Sequence, residues 1–395
     1  MPKLSVEQLE LGGKRVFLRA DLNVPLTDDR VADDTRIRGV LPTIQHCLKT
    51  GASVILASHL GRPKGKPDPR YSLSPVASRL EELLGQPAPL APDCVGDACE
   101  NLAQALRPGE CLLLENLRFH PGEEANDPAF AQALARLADC YVNDAFAASH
   151  RAHASIVAIT LYLKPAAAGL LMQRELAALE RVMDRPDRPL VAILGGAKVS
   201  DKLGLVQHLL DKVDALLIGG AMAFTFLKAL GHDPGRSLVE PDLVETARQV
   251  LAEARARGVQ VGLPVDAVVG RAPRQAEEVS TVNIRQIPPT LMGLDIGPVT
   301  LERFREALRS ARTVVWNGPM GVFENPAFAS GTLELARAVA DSQAFTVVGG
   351  GDTVAAIHQA GVADKIGYLS TAGGAFLEYL EGRELPGVAA LTESS

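Results

Sequence analysis

Short apolar runs rich in leucine and β-branched residues alternate with longer amphipathic segments along the whole chain. VFLRADLN, SVILASHLGR, CLLLENLRF and CYVNDAF occur in the first half; PLVAILGGAK, ALLIGGAMAF, TVVWNGPMG and FTVVGGGDT occur in the second. Apolar runs closed by glycine or a polar residue suit strands buried on both faces of a parallel sheet. The segments between them predict helices over Ser74–Leu84, Pro128–Ala138, Leu203–Leu210, Asp242–Arg257, Leu301–Ser310 and Gly331–Ala340. Such alternation predicts an α/β fold of doubly wound parallel sheets.

The texture changes once. After Lys164-Pro165, Met172, Leu176, Leu179 and Met183 recur at spacings of 4, 3 and 4 on one helical face, and RPDRP at 185–189 ends that helix. The pattern predicts two doubly wound parallel-sheet domains, 1–168 and 187–377, joined by a helical hinge over 169–186.

In open α/β sheets, ligands collect beyond the carboxyl ends of the strands. The two halves end their strands differently. In the first half the ends are cationic or hydrogen-bonding: Arg19, Asp21, Asn23 and nearby Arg36, then His59 and Arg62, then Arg118, then His150, Arg151 and His153. One such residue alone reads as a solvated loop charge. Arginine or histidine at four separate strand ends instead points to a cleft for phosphate and carboxylate groups, which guanidinium forks bind bidentately. In the second half the ends are Gly195-Gly196, Gly219-Gly220, Asn317-Gly318-Pro319 and Gly349-Gly350-Gly351-Asp352-Thr353. One glycine pair is ordinary turn chemistry; four suit phosphates approaching backbone amides and helix N-termini. Lys198 and Lys202, four apart, are expected on one face of the first helical turn, where two cations oppose the helix dipole unless an anion is present. Asp352 reads equally as an N-cap carboxylate or as a Mg²⁺ ligand beside a nucleotide.

Composition narrows the classes. The chain has 395 residues, 47% hydrophobic and 22% charged, which is globular usage and length for two domains. A net charge of −7 gives no general attraction to nucleic acid or anionic membrane, and 4% aromatics argues against base-stacking platforms. The five cysteines include no CxxC pair and read as free thiols of a reducing compartment. MPKLSVEQLELGGKR carries no apolar core of a secretory signal; Ala215–Leu227 is too short to span a bilayer and Ala154–Met172 is interrupted by Lys164-Pro165. A cytoplasmic protein with no membrane or nucleic-acid partner is expected. GxGxxG, GxSxG and HExxH are absent. Gly61-Arg-Pro-Lys-Gly65-Lys66-Pro67 fails as a Walker A loop, because its glycines are one residue too close and proline follows the lysine.

Taken together, DLNVPL (21–26), DDTRI (33–37), SHLGRPKG (58–65), LLLENLRFHPGEE (112–124), YVNDAF (141–146), HRAHAS (150–155), GGAKVSDK (195–202), GGAMAFTFLKA (219–229), MGLDIGP (292–298), WNGPMGVFE (316–324) and GGGDT (349–353) resemble the phosphoglycerate kinases, in family order through nearly the whole chain. The resemblance implies a monomeric glycolytic kinase moving a phosphoryl group between 1,3-bisphosphoglycerate and Mg-ADP, with hinge closure bringing the substrates together. It implies that Asp21, Asn23, Arg36, His59, Leu60, Gly61, Arg62, Arg118 and Arg151 surround 3-phosphoglycerate. It implies that Lys198, Lys202, Gly219, Gly220, Leu294, Asn317, Pro319, Glu324, Gly350, Gly351, Asp352 and Thr353 surround ATP or ADP, with Asp352 on Mg²⁺. Arg36, Lys198, Gly373 and Gly374 would serve the transfer itself, and a C-terminal segment from about 378 would pack back onto the first domain.

Four positions depart from the family pattern. Ala372 stands for a glycine near the transferred phosphate, Ala147 and Ala148 follow NDAF where Gly and Thr are common, and Leu291 replaces a frequent Trp. None removes a charged group. The alternatives are a catalytically silent two-domain binding protein, which predicts erosion of Lys198 and Asp352, and a kinase for another small phosphorylated acid.

Overall fold

The computed structural model describes residues 2–394. The chain divides into two compact units, one running to Leu176 and resuming at Glu384, the other spanning Ala177–Arg383. The division falls inside the helix Leu170–Met183. The return to the first unit starts at Glu384 rather than near 378, because the helix Gly373–Leu380 belongs to the second unit.

The first unit is built on a five-stranded parallel sheet: β1 (Arg15–Arg19), β2 (Ser53–Ala57), β3 (Cys111–Leu113), β4 (Cys140–Asn143) and β5 (Ala166–Ala168), in the order β3-β2-β1-β4-β5. Strands β2 and β4 are buried at every residue, as their unbroken apolar runs require. Val16, Leu18, Val54, Leu56 and Val142 form the core beneath the helices Thr35–Lys49 and Ser74–Leu84. The C-terminal segment closes this unit, with Thr392 N donating to Ala166 O and Leu4 N to Thr392 O.

The second unit carries a six-stranded parallel sheet: β6 (Leu190–Leu194), β7 (Ala215–Ile218), β8 (Gln260–Gly262), β9 (Thr313–Asn317), β10 (Phe345–Gly349) and β11 (Tyr368–Ser370), in the order β8-β7-β6-β9-β10-β11. Val191, Ile193, Val314, Trp316 and Val348 lie in its core with Phe304 and Leu335 from flanking helices. A three-stranded antiparallel sheet, Asp266–Gly270, Ser280–Asn283 and Met292–Ile296, is added beside it and was not part of the purely parallel expectation.

In both parallel sheets the strand order reverses beside the first strand, between β1 and β4 and between β6 and β9. Those reversals open the crevices where ligands bind. The helices expected at 74–84, 128–138, 203–210, 242–257, 301–310 and 331–340 are all present, with ends shifted by a few residues. The helix Thr35–Lys49 escaped the periodicity because Pro42 lies inside it.

A buried polar joint holds the first unit's sheet to the helix Leu170–Met183. Asp144, just past β4, accepts from Thr43 Oγ1 at 2.5 Å and from Met172 N at 2.9 Å, and burial raises its carboxyl to about 6. Gly169 lies against it: a Cβ there would come 2.3 Å from Asp144 Oδ1. Gly169→Ala is therefore expected to destabilise the protein by about 1–3 kcal/mol, the scale of forced overpacking, as read from the urea midpoint.

Candidate functional site

The carboxyl ends of β1, β2 and β4 gather a cluster of cations in the first unit. Arg19, the last residue of β1, is 1% exposed although it is a full cation. Its Nε donates to Ser155 Oγ at 2.8 Å, its Nη2 lies 3.2 Å from His59 Nδ1, and its Nη1 donates to Ala20 O. No carboxylate pairs with it among the described residues. The nearest compensation is indirect, since Ser155 also donates through Oγ (2.6 Å) and N (2.9 Å) to the fully buried Glu123.

Two of the sequence-predicted residues, Asn23 and Arg118, meet on Gly61. Asn23 Oδ1 accepts from Gly61 N at 2.8 Å, and Arg118 Nη1 donates to Gly61 O at 2.8 Å. Gly61 has φ +59, and a Cβ there would strike the Tyr71 ring at 2.4 Å. Leu60 is buried and its carbonyl accepts from Asn116 Nδ2 at 2.8 Å. Arg36, in the first turn of its helix where a cation opposes the dipole, pairs with Asp21. Arg151 donates from Nε to His150 Nε2 at 3.2 Å. Arg62 follows Gly61 and is exposed.

The electrostatics show how close these groups are. Burial, then the charges of Arg19 and Arg118, hold His59 well below the usual imidazole range. Burial followed by Arg118, Arg19 and Arg151 pushes His153 down to about 3. Arg118, 5% exposed, is itself held below its ordinary value by burial, with Arg19 and Arg151 adding to the effect. Burial first, and the guanidiniums after it, favour the neutral form of both imidazoles, and a bound anion would offset that positive charge. Arg19 and His153 stand among the strand-end cations read from the sequence but are given no binding role there, and Glu123 and Ser155 are not singled out. The signal for Arg19 was available: a lone arginine inside an apolar strand run is buried and needs a partner.

In the second unit the strand-end loops converge. Lys198 and Lys202 do not lie on a helical face as expected: the helix begins only at Leu203, with Lys202 as its N-cap residue. Glu240 draws the preceding loop away from helical geometry, accepting from Val199 N, from Ser200 N (3.1 Å) and from Ser200 Oγ (2.5 Å). Nothing in the local sequence pattern marks Glu240, which is 40 residues away from this loop. Lys198 is left exposed. Lys202, 9% exposed, turns its amine onto Asn317 O at 2.9 Å and onto Asn317 Oδ1, and burial lowers it to about 8 despite Asp201 and Asp352.

The glycines divide by role. A Cβ on Gly195 would lie 2.1 Å from Pro319 O, and one on Gly318 would lie 2.6 Å from Lys202 Nζ, so these glycines let the loops pack on one another. At Gly351 and Gly373 a Cβ would meet nothing within 4 Å, so their surroundings are open. Asp352 is exposed in the first turn of the helix Gly351–Gln359; the N-cap there is Gly350, without a side-chain cap. The capping reading of Asp352 is thereby removed. Thr353 Oγ1 accepts from Gly318 N at 2.7 Å, and Asn317 Nδ2 donates to Gly349 O at 2.8 Å.

A cavity of about 520 Å³ lies among these loops, lined by Gly196, Gly220, Phe224, Leu294, Pro319, Glu324 and Asp352. An apolar slot bounded by glycines, with the carboxylates of Glu324 and Asp352 on its lining, has the size and chemistry for a nucleotide. Leu291 fills a core cluster with Phe224, Leu227 and Ile287. Gly219, with its missing Cβ opposite Met320 Sδ, supports the same wall. Ala372 has φ −101 and ψ 74, a conformation that needs no glycine, and leads into a helix begun by Gly373-Gly374. Ala148 packs with Ala145 and Ile156, and Ala147 lies in the same turn.

Comparison with known proteins gives one consistent result. The family model for phosphoglycerate kinase matches residues 6–383. The chain is 56% identical over 392 residues to the phosphoglycerate kinase of Anaeromyxobacter dehalogenans strain 2CP-C, covering 98% of this chain and 99% of the relative. It is 54% identical over 391 residues to that of Geobacter metallireducens, covering 98% of each. Among solved structures, phosphoglycerate kinase from Coxiella burnetii superposes with a TM-score of 0.91 at 43% identity, and that from Pyrococcus horikoshii OT3 with 0.85 at 36%; each covers 98% of both chains.

Asp295, on the cavity wall and 4% exposed, generates a pH prediction. Burial raises its carboxyl to about 7, against amide donation from Gly331 at 2.6 Å and Ile296 at 2.9 Å. Between its unfolded value near 4 and about 7 the folded state binds more protons, so this group's contribution to stability falls as pH rises through that window and then levels. Asp295→Asn should flatten that part of the pH profile, measured by urea unfolding from pH 5 to pH 8.

Proposed function

The chain belongs to the phosphoglycerate kinase family, and on that premise we propose that its first unit binds 3-phosphoglycerate and its second binds the nucleotide. The reaction is phosphoryl transfer between 1,3-bisphosphoglycerate and ADP, giving 3-phosphoglycerate and ATP, a step of glycolysis. Lys198 and Asp352 are both present, so the erosion that a catalytically silent relative would display is not found.

The observation that carries the site assignment is the buried cation Arg19 with its surrounding His59, Arg118 and His153. Buried positive charge without a paired carboxylate is costly, and an anion of phosphate and carboxylate groups offsets it. In this reading Arg36, Arg62, Arg118 and Arg151 grip the acid's oxygens. Asp21 and Asn23 orient Arg36 and the Gly61 backbone, and also accept from substrate hydroxyls. His59, held neutral, donates or accepts without adding charge.

On the second unit, Leu294, Gly219, Gly220 and Pro319 flank the base, and Glu324 accepts from the ribose hydroxyls. Lys202, Asn317, Gly350, Gly351 and Thr353 surround the phosphates. Lys198, exposed and unengaged by the loop's own hydrogen bonds, neutralises charge on the phosphoryl group in transit, and the open N-terminus at Gly373-Gly374 supplies amides to it. Asp352 is a hard, exposed oxygen donor at the cavity rim, which fits Mg²⁺ held by one carboxylate and nucleotide phosphates. Mg²⁺ bound there supplies neutralisation of the β- and γ-phosphate charge.

In-line transfer asks little covalent chemistry of the protein; it asks for position, charge and the exclusion of water. Reacting atoms must come within roughly 3–3.5 Å. Substrates held by separate units meet this only when the units close on each other, with the segment 169–186 as hinge. We place the enzyme in the cytoplasm as a monomer. All five cysteines are free and buried, as a reducing compartment allows, and no described helix is long and apolar enough to cross a membrane.

The test is a coupled assay with Mg-ATP and 3-phosphoglycerate. Wild-type protein should turn over, and Lys198→Ala should lower kcat by about two orders of magnitude or more with much less change in nucleotide affinity; near wild-type turnover would make Lys198 a surface charge only. Lys202 gives a second, independent check. Because burial holds it near 8, phosphate binding at about that pH should re-protonate it. Calorimetry in buffers of different ionisation enthalpy should show proton uptake on ADP binding, absent in Lys202→Met.

A further inference from the structure

Outside the kinase site, the first unit holds a compact set of unlike donors. Asp93 and Cys94 lie just before the helix Asp97–Ala105, and His120 directly follows the turn Leu117–Phe119. One carboxylate oxygen, the Cys94 thiol and one His120 nitrogen all lie within 4.8 Å of one another. His120 Nε2 is 2.7 Å from Asp93 Oδ1, and its ring is stacked on Phe130 with centroids 5.2 Å apart, which fixes its plane. The Asp93 carbonyl is tied by the Cys99 thiol at 3.0 Å and by Glu115 N at 3.3 Å. Two chain segments thus present oxygen, sulfur and nitrogen to one point from an anchored backbone.

We propose that Asp93, Cys94 and His120 form a binding site for a borderline-soft divalent cation of the zinc type, with water as fourth ligand. Zinc takes Cys sulfur at about 2.3 Å and His nitrogen or carboxylate oxygen at about 2.0–2.2 Å in tetrahedral sites. Those lengths require ligand separations of roughly 3.3–3.6 Å. The present spread reaches that by contraction of the wider contacts and opening of the 2.7 Å pair by less than one ångström. Cys94 is fully buried, whereas the Asp93 and His120 side chains are 46% and 31% exposed, which leaves an entry path and room for water. A thiolate with imidazole selects zinc-like ions over Mg²⁺, so the site is chemically distinct from Asp352. On binding, the Cys94 proton leaves to solvent as the sulfur–metal bond forms, and His120 ligates through Nε2 with its ring proton on Nδ1. The ion would clamp the 93–94 segment to the turn that carries Arg118.

The test uses the full chain, stripped of metal and free of nucleotide, titrated with Zn²⁺ alone and separately with Co²⁺. The expected result is one tight equivalent of Zn²⁺ and a sulfur-to-cobalt charge-transfer band. Cys94→Ala should abolish the band, and His120→Gln and Asp93→Asn should each weaken Zn²⁺ binding at least about tenfold, since even second-shell losses cost 10–100-fold. Both latter variants replace half-exposed side chains, and their kinase turnover without Zn²⁺ should match wild type, showing that they are folded. Zinc binding by wild type no tighter than by the His120→Gln variant, or a cobalt complex without thiolate absorption, overturns the proposal.

Discussion

Each unit of this protein buries a cation where its parallel sheet reverses order, and much of the site's organisation follows from that constraint. In the first unit it is Arg19 at the end of β1; in the second it is Lys202 beyond β6. Neither is paired with a carboxylate among the described residues. Arg19 relies on Ser155, His59 and a main-chain carbonyl, and Lys202 relies on the two oxygens of Asn317. Such burial is unfavourable for the isolated fold and is relieved by an anion. The consequences are visible nearby: two imidazoles held neutral, an arginine held below its ordinary value, and a lysine brought to about 8.

The topology decides where those charges can be placed. Parallel strands all deliver their following loops to one edge, so residues far apart in sequence converge without any local motif. Asn23, Gly61 and Arg118 come from three different strand ends, yet Gly61 joins them through its amide and its carbonyl. In the second unit, glycines at 195 and 318 let neighbouring loops approach until no Cβ would fit, while Asn317 reaches from β9 to Gly349 on β10. The same fold therefore yields an arginine-rich pocket on one unit and a glycine-walled apolar slot on the other.

Much of this was legible in the chain. Buried parallel strands announce themselves as apolar runs closed by glycine, and the strand ends carried the contrast between arginine and glycine directly. What escaped has physical causes. Pro42 interrupted the signal of the helix Thr35–Lys49. In the antiparallel sheet at 266–296, Asp266–Gly270 and Met292–Ile296 are buried at nearly every residue and Ser280–Asn283 is exposed at nearly every residue, so none shows the apolar–polar alternation of a half-buried strand. The loop before Leu203 reads as helical by spacing alone, but Glu240 supplies its hydrogen bonds from another part of the chain, a tertiary effect that no local pattern contains. Ala372, which stands where the family pattern has a glycine, has a negative φ that an alanine adopts freely.

The central claim is that the acid and the nucleotide occupy different units, each answering its own buried cation. Hydrogen–deuterium exchange of the full chain with 3-phosphoglycerate alone and with Mg-ADP alone tests it most directly. The account predicts that 3-phosphoglycerate protects amides at 20–24, 59–62, 117–120 and 150–156, and that Mg-ADP protects 195–202, 219–224, 317–322 and 350–354. Protection of the glycine loops by 3-phosphoglycerate alone, with the Arg19 neighbourhood unchanged, would contradict it.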